Sequence, residues 1–93
     1  MILNYPMSRY EFSTEIKSKH KTLKSGKYHV AFGFNTVPNY YFVTAWREGN
    51  DNINEPDYNK QGSKSAIVDS PFGPAIGINY PEEYMYCMLD MPF

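Results

Sequence analysis

The sequence predicts an α+β fold of two layers, one N-terminal helix packed on an antiparallel sheet of about four strands. Three observations lead there. A helix-start signature opens the chain, two aromatic and β-branched runs follow with a turn-forming linker between them, and short apolar runs close it.

The helix is expected over about 9–25. Ser8 and Glu11 fit the S-x-x-E capping box, in which the two side chains satisfy backbone donors at a helix start, and Met7 and Phe12 stand where a hydrophobic staple closes. Phe12, Ile16, His20 and Leu23 recur at nearly the spacing of one helical stripe. Gly26 stands where a left-handed C-terminal cap is expected.

A hairpin is expected over 27–47. KYHVAFGF alternates, with Tyr28, Val30, Phe32 and Phe34 on one side and His29, Ala31 and Gly33 on the other. YYFVTAWR, residues 40–47, is aromatic and β-branched throughout, the composition a pleated and buried surface favours. Between them NTVPN, with Pro38 flanked by asparagines, suits a loop of more than two residues.

Residues 48–65 read as a long polar loop, rich in Asn and Gly and nearly free of large apolar side chains. Strands are expected over 65–91: SAIVD, then a β-turn at SPFG with Pro71 second and Gly73 fourth, then AIGIN and YMYCML. Pro81, Glu82 and Glu83 imitate a helix start, so a helix is the alternative for the last of these.

Ninety-three residues make one domain, and a chain this short has little room for an internal active-site cavity. An aromatic fraction of 17% within 42% hydrophobic residues excludes general disorder. Cys87 is the single cysteine, which excludes an internal disulfide and a cysteine-based zinc site and points to a reducing compartment. MILNYPM lacks the charged and apolar regions of a signal peptide, and no run approaches the ~20 apolar residues that span a bilayer. A soluble cytoplasmic protein is the expectation.

The net charge of −1 hides an asymmetry. Residues 1–29 hold six basic and two acidic side chains (+4), and residues 30–93 hold three basic and eight acidic (−5). On the expected helix Lys17, Lys21 and Lys24 share one face and form the candidate phosphate-binding group. Acid first and base last is also the order that the helix dipole favours, and Glu15 and Lys19 make an i,i+4 pair. Solvation and helix stability account for these lysines without a ligand.

Catalytic and metal signatures are missing from the sequence. His20 and His29 have no ligand-like spacing. DNINEPD resembles a calcium loop only superficially, with Ile53 at the third position and Pro56 at the sixth. No nucleophile motif occurs, Cys87 lies in an apolar run, and no glycine-rich loop precedes a helix. The expectation is a protein that is not an enzyme and uses no cofactor.

What remains is aromatic surface. The strand 40–47 is apolar on both sides, and one helix covers one face of a sheet. Tyr40, Tyr41 and Trp46, with Arg47 beside them, are the candidate partner-binding residues, since large half-polar rings serve protein interfaces as anchors. The function expected is a small stoichiometric binding protein, an inhibitor or adaptor such as a phage or mobile-element accessory protein. Its partner is expected to be another protein or a second copy of itself, with no role for a membrane. The rival is a nucleotide or nucleic-acid binder, joining the lysine face to exposed aromatics.

Overall fold

Strict two-residue alternation, not helical spacing, governs residues 8–16. In the computed structural model, which describes residues 8–19, 22–36 and 39–81, Ser8–Ile16 is a strand, β1. Arg9, Glu11, Ser13 and Glu15 are exposed on one side of it, and Tyr10, Phe12, Thr14 and Ile16 are half-buried on the other. The expected N-terminal helix over 9–25 is thus corrected. A helical stripe would have used Phe12, Ile16 and Leu23 but left Tyr10 outside, whereas a strand puts every second residue on one face. The described residues after Ile16 run irregularly to β2, Gly26–Thr36, with Leu23 folded into the core.

The hairpin forms as expected. β2 pairs antiparallel with β3, Asn39–Arg47, from Tyr28↔Arg47 to Thr36↔Asn39, so the strands extend through most of the expected linker. Val37 and Pro38 lie outside the described residues. The 48–65 segment is only partly loop, because Tyr58–Gly62 pairs with β3 as β4. Its sequence, YNKQG, hid this: most of its side chains face water, and its backbone supplies what the strand contributes. Lys60 on an edge strand also discourages pairing with other chains.

Two short helices stand where strands were expected: α1, Ser65–Val68, and α2, Gly73–Asn79. The turn at SPFG is present, with the Gly73 amide donating to the Ser70 carbonyl at 3.1 Å. The remainder of the expected C-terminal strands, including Glu82, Glu83 and Cys87, lies outside the described residues. Neither helix has strong intrinsic propensity, since α2 reads GPAIGIN. Burial decides instead. Phe72, Ile76 and Tyr80 recur at intervals of four, and a helix aims all three at the sheet.

The sheet order is β1-β2-β3-β4, antiparallel throughout. Its helical face carries Tyr28, Val30, Phe32 and Phe34 of β2 and Tyr41, Val43 and Ala45 of β3, covered by Leu23, Ile67, Phe72 and Ile76. Phe72 stands edge-on to Tyr28 at 5.2 Å and to Tyr58 at 5.5 Å. Tyr80 closes the other flank against Tyr10, Phe12 and Phe32, at 5.7, 5.8 and 5.5 Å. These are the offset and edge-to-face arrangements that ring quadrupoles favour. The buried Ser70 hydroxyl donates to the Ile67 carbonyl at 2.8 Å and accepts from the Phe72 amide at 3.3 Å, which ties α1 to α2.

Gly73 is where the two helices touch. A Cβ there would lie 2.6 Å from the Val68 carbonyl oxygen and 2.9 Å from that of Ile67. Both obstacles are backbone and cannot rotate aside. Gly→Ala at a helix position ordinarily gains up to about 1 kcal/mol. Here Gly73→Ala is expected to lose roughly 1–3 kcal/mol by overpacking. Urea unfolding of the variant checks this, and a gain in stability would show that α1 and α2 are less closely apposed.

Candidate functional site

The second face of the sheet is polar at its edges and aromatic at its centre. It carries Arg9, Glu11, Ser13 and Glu15 from β1, Lys27, His29, Ala31, Gly33 and Asn35 from β2, and Tyr40, Phe42, Thr44 and Trp46 from β3. Ala31, Gly33 and Phe42 are buried, and Tyr40 and Trp46 are partly exposed. The alternation of β3 therefore separates the sequence candidates. Tyr41 points to the helical face, 7% exposed, with its ring 5.0 Å from Phe34. Tyr40 and Trp46 share the second face but stand six residues apart, about 20 Å along a strand.

Arg47 is committed to structure. Its Nε and Nη2 donate to the Ser25 carbonyl at 3.1 and 2.9 Å. Gly26, at φ 148°, makes room for this, because a Cβ there would lie 3.0 Å from Arg47 Nε. Lys17 and Lys24 are exposed in the irregular β1–β2 connection, so no helix gathers them on one face, and Lys21 lies outside the described residues. The Lys24 carbonyl accepts from the Tyr28 hydroxyl.

Around Trp46 a group of residues gathers that the sequence did not single out. The indole Nε1 donates to the Ile53 carbonyl at 2.9 Å, and the ring lies 6.1 Å from the His29 ring. His29 Nε2 is 2.6 Å from Glu11 Oε1, and Arg9 Nε donates to Glu11 Oε2 at 2.8 Å. The bonds from Arg9 and then His29 hold the Glu11 carboxyl below its usual value, against a smaller opposing effect of burial. An ionised Glu11 only accepts, so Nε2 is the protonated nitrogen of His29 in this contact. Beside Trp46 opens a shallow cleft of about 250 Å³, with Arg9, Glu11, His29, Asn50, Asp51 and Ile53 around it.

The turn that supplies Ile53 is built by asparagines. The Asn52 amide donates to Asn50 Oδ1 at 2.8 Å and the Asn54 amide to Asn52 Oδ1 at 3.0 Å, two successive Asx turns. Asn50 Nδ2 donates to the Glu55 carbonyl and to Asp57 Oδ2, and Asp57 Oδ2 also accepts from the Arg47 amide at 2.7 Å. The Arg47 amide first, then Asn50, holds the Asp57 carboxyl below its usual value. The polar composition of 48–57 is thus the means of its order.

Chemically the arrangement offers a large ring with a fixed tilt, an apolar tip in Ile53, which is 70% exposed, and a paired Arg–Glu–His group at the rim. Among the described residues no group of three or more His, Cys, Asp or Glu side chains is placed to hold a metal ion. Among them, too, no helix is long and apolar enough to cross a membrane.

Glu11 and Asp57 are more acidic folded than unfolded, so both stabilise the fold once ionised. Their contribution is complete above the ordinary values of 4.5 and 3.8 and is lost as pH falls through the lowered folded values. Denaturant midpoints measured downward from neutral pH are expected to fall in that range. Glu11→Gln and Asp57→Asn should each flatten the fall, and curves parallel to the parent would refute the assignment.

Comparison with protein-family models, with curated proteins and with solved structures finds no match to this chain, so a functional reading rests on the geometry of its own surface.

Proposed function

We propose that the protein is a stoichiometric binding protein, not an enzyme, that docks another protein on the Trp46 end of its second sheet face. One observation carries the reading: Trp46 is partly exposed yet fixed, tied by its Nε1 to Ile53 and flanked by His29. An anchor already ordered in the free protein loses little conformational entropy on binding. Trp is also among the residues that dominate interface energetics when ringed by polar contacts. Arg9, Glu11 and His29 supply such a rim on one side and Asp51 on the other.

Charge favours a protein over a nucleic acid. Arg9 and Lys27 on this face are outweighed by Glu11, Glu15 and the adjoining Asp51, and a phosphate backbone requires a basic track. Lys17 and Lys24 belong to the irregular β1–β2 connection, outside the strands of this face.

Trp46→Ala is expected to weaken partner binding by about thirtyfold or more, the usual effect of removing a hot-spot anchor. It should lower folding stability by less than the ~3–5 kcal/mol expected for Tyr41→Ala in the core. Lys17→Glu with Lys24→Glu should change affinity less than tenfold, below ~1.4 kcal/mol. Affinity capture from host extract, with parent and Trp46→Ala as paired baits, supplies the ligand for these measurements. A captured nucleic acid, or a protein held equally by both baits, would overturn the proposal.

A further inference from the structure

The outer edge of β1 pairs with no strand among the described residues, and its charge pattern fits a second copy of itself. Its polarity follows from two contacts. The Glu48 amide donates to the Lys27 carbonyl, so the odd residues of β2 bond toward β3 and the even ones toward β1. With Tyr10↔Phe32 and Phe12↔Val30 in register, the even residues of β1 bond inward, and Arg9, Glu11, Ser13 and Glu15 present their amides and carbonyls outward. The Glu11 carbonyl, which accepts from the Tyr80 hydroxyl, is outward in agreement with this. Among the described residues no strand pairs with this edge.

We propose that two copies of the chain associate through antiparallel β1–β1 pairing, with Phe12 opposite Phe12 on the two-fold axis. This register pairs all nine residues of β1, setting Ser8 against Ile16, Arg9 against Glu15 and Glu11 against Ser13. It joins outward residues only to outward residues, as an antiparallel ladder requires. Charge distinguishes it from its neighbours. Moving the centre to Glu11 sets Glu11 against Glu11, and moving it to Ser13 sets Glu11 against Glu15, both like-charge contacts.

Each Arg9–Glu15 pair also continues contacts within the subunits. Arg9 already donates its Nε to Glu11, and Glu15 stands opposite Lys27. The line Lys27, Glu15, then Arg9 and Glu11 of the second copy, alternates in sign across the junction. Phe12, half-buried against Phe32 and Tyr80, gains cover from its symmetry mate. The Tyr80 hydroxyl takes one lone pair of the Glu11 carbonyl and leaves the other for an incoming amide. A paired edge also removes the unprotected ladder that an edge strand otherwise presents. Trp46 itself takes no part in the pairing, although Arg9 and Glu11 of its rim do, so Trp46→Ala distinguishes the two proposals.

The test is sedimentation equilibrium of the full chain over a wide concentration range. The parent is expected to dimerise. Arg9→Glu or Glu15→Arg alone should weaken the dimer roughly tenfold or more, because each change turns two symmetric attractions into repulsions. The double variant should recover most of the loss. Ser13→Pro removes only an outward amide and so should abolish dimerisation while the monomer stays folded by circular dichroism. Trp46→Ala should leave the dimer unchanged. Three results would overturn the proposal: a parent that stays monomeric throughout, a dimer indifferent to the charge reversals and their combination, or Glu11, Ser13 and Glu15 amides protected from exchange in the monomer.

Discussion

The seating of Phe72 between Tyr28 and Tyr58, with Ile67 and Ile76 beside it, is the contact on which the rest of the architecture depends. β2 presents four large side chains to one face of the sheet, and a lone hairpin with such a face is not stable in water. α1 and α2 are too short to stand alone and lack strong propensity, so they persist because Ile67 and Ile76, with Phe72 of their linker, are wholly buried there. Gly73 and Ser70 follow from the same need. They let two helices meet closely enough for one small cover to fit the sheet.

The buried side chains of α1, α2 and their linker cover one face, and the polar side chains of β1 and β2 lie on the other. Arg9, Glu11 and His29 meet there across β1 and β2, far apart in sequence but adjacent in register. Trp46 then lies between this group and the 50–54 turn, which holds its indole nitrogen. The polar segment after β3 therefore has two roles: it returns the chain as β4 and it fixes the Trp46 ring on the second face. An ordered ring and a charge-patterned edge on one small sheet are the two features on which the proposed contacts rest.

Much of the candidate site was hidden in the sequence for a physical reason. Trp46 was visible as a large ring in a strand, and its separation from Tyr41 followed from alternation. Glu11 and His29 were not, because a contact over eighteen residues appears only once the register of two strands is known. Arg47 looked like an interface residue, yet the approach of its guanidinium to Ser25 depends on a backbone turn at Gly26. The lysines looked like a group because a helix was expected to gather them. In an irregular connection Lys17 and Lys24 share no helical face, and Lys21 lies outside the described residues.

The sequence by itself determined the central hairpin, the turn at Ser70–Gly73 and the aromatic richness of the core, since each is carried by local pattern: alternation, Pro and Gly placement, and composition. It also contained the alternation of β1, in which Tyr10, Phe12, Thr14 and Ile16 interleave with Arg9, Glu11, Ser13 and Glu15, but a capping-box pattern over the same residues competed with it. Only the tertiary structure decided between them. β2 had an unpaired edge next to a partly filled core, and a strand satisfies that edge while burying every second side chain. The same logic made helices of 65–68 and 73–79 despite their strand-forming residues, because the sheet needed a lid more than another strand. Local propensities are worth tenths of a kcal/mol per residue, whereas burial of one large side chain is worth about 1.5–3 kcal/mol, and burial prevailed.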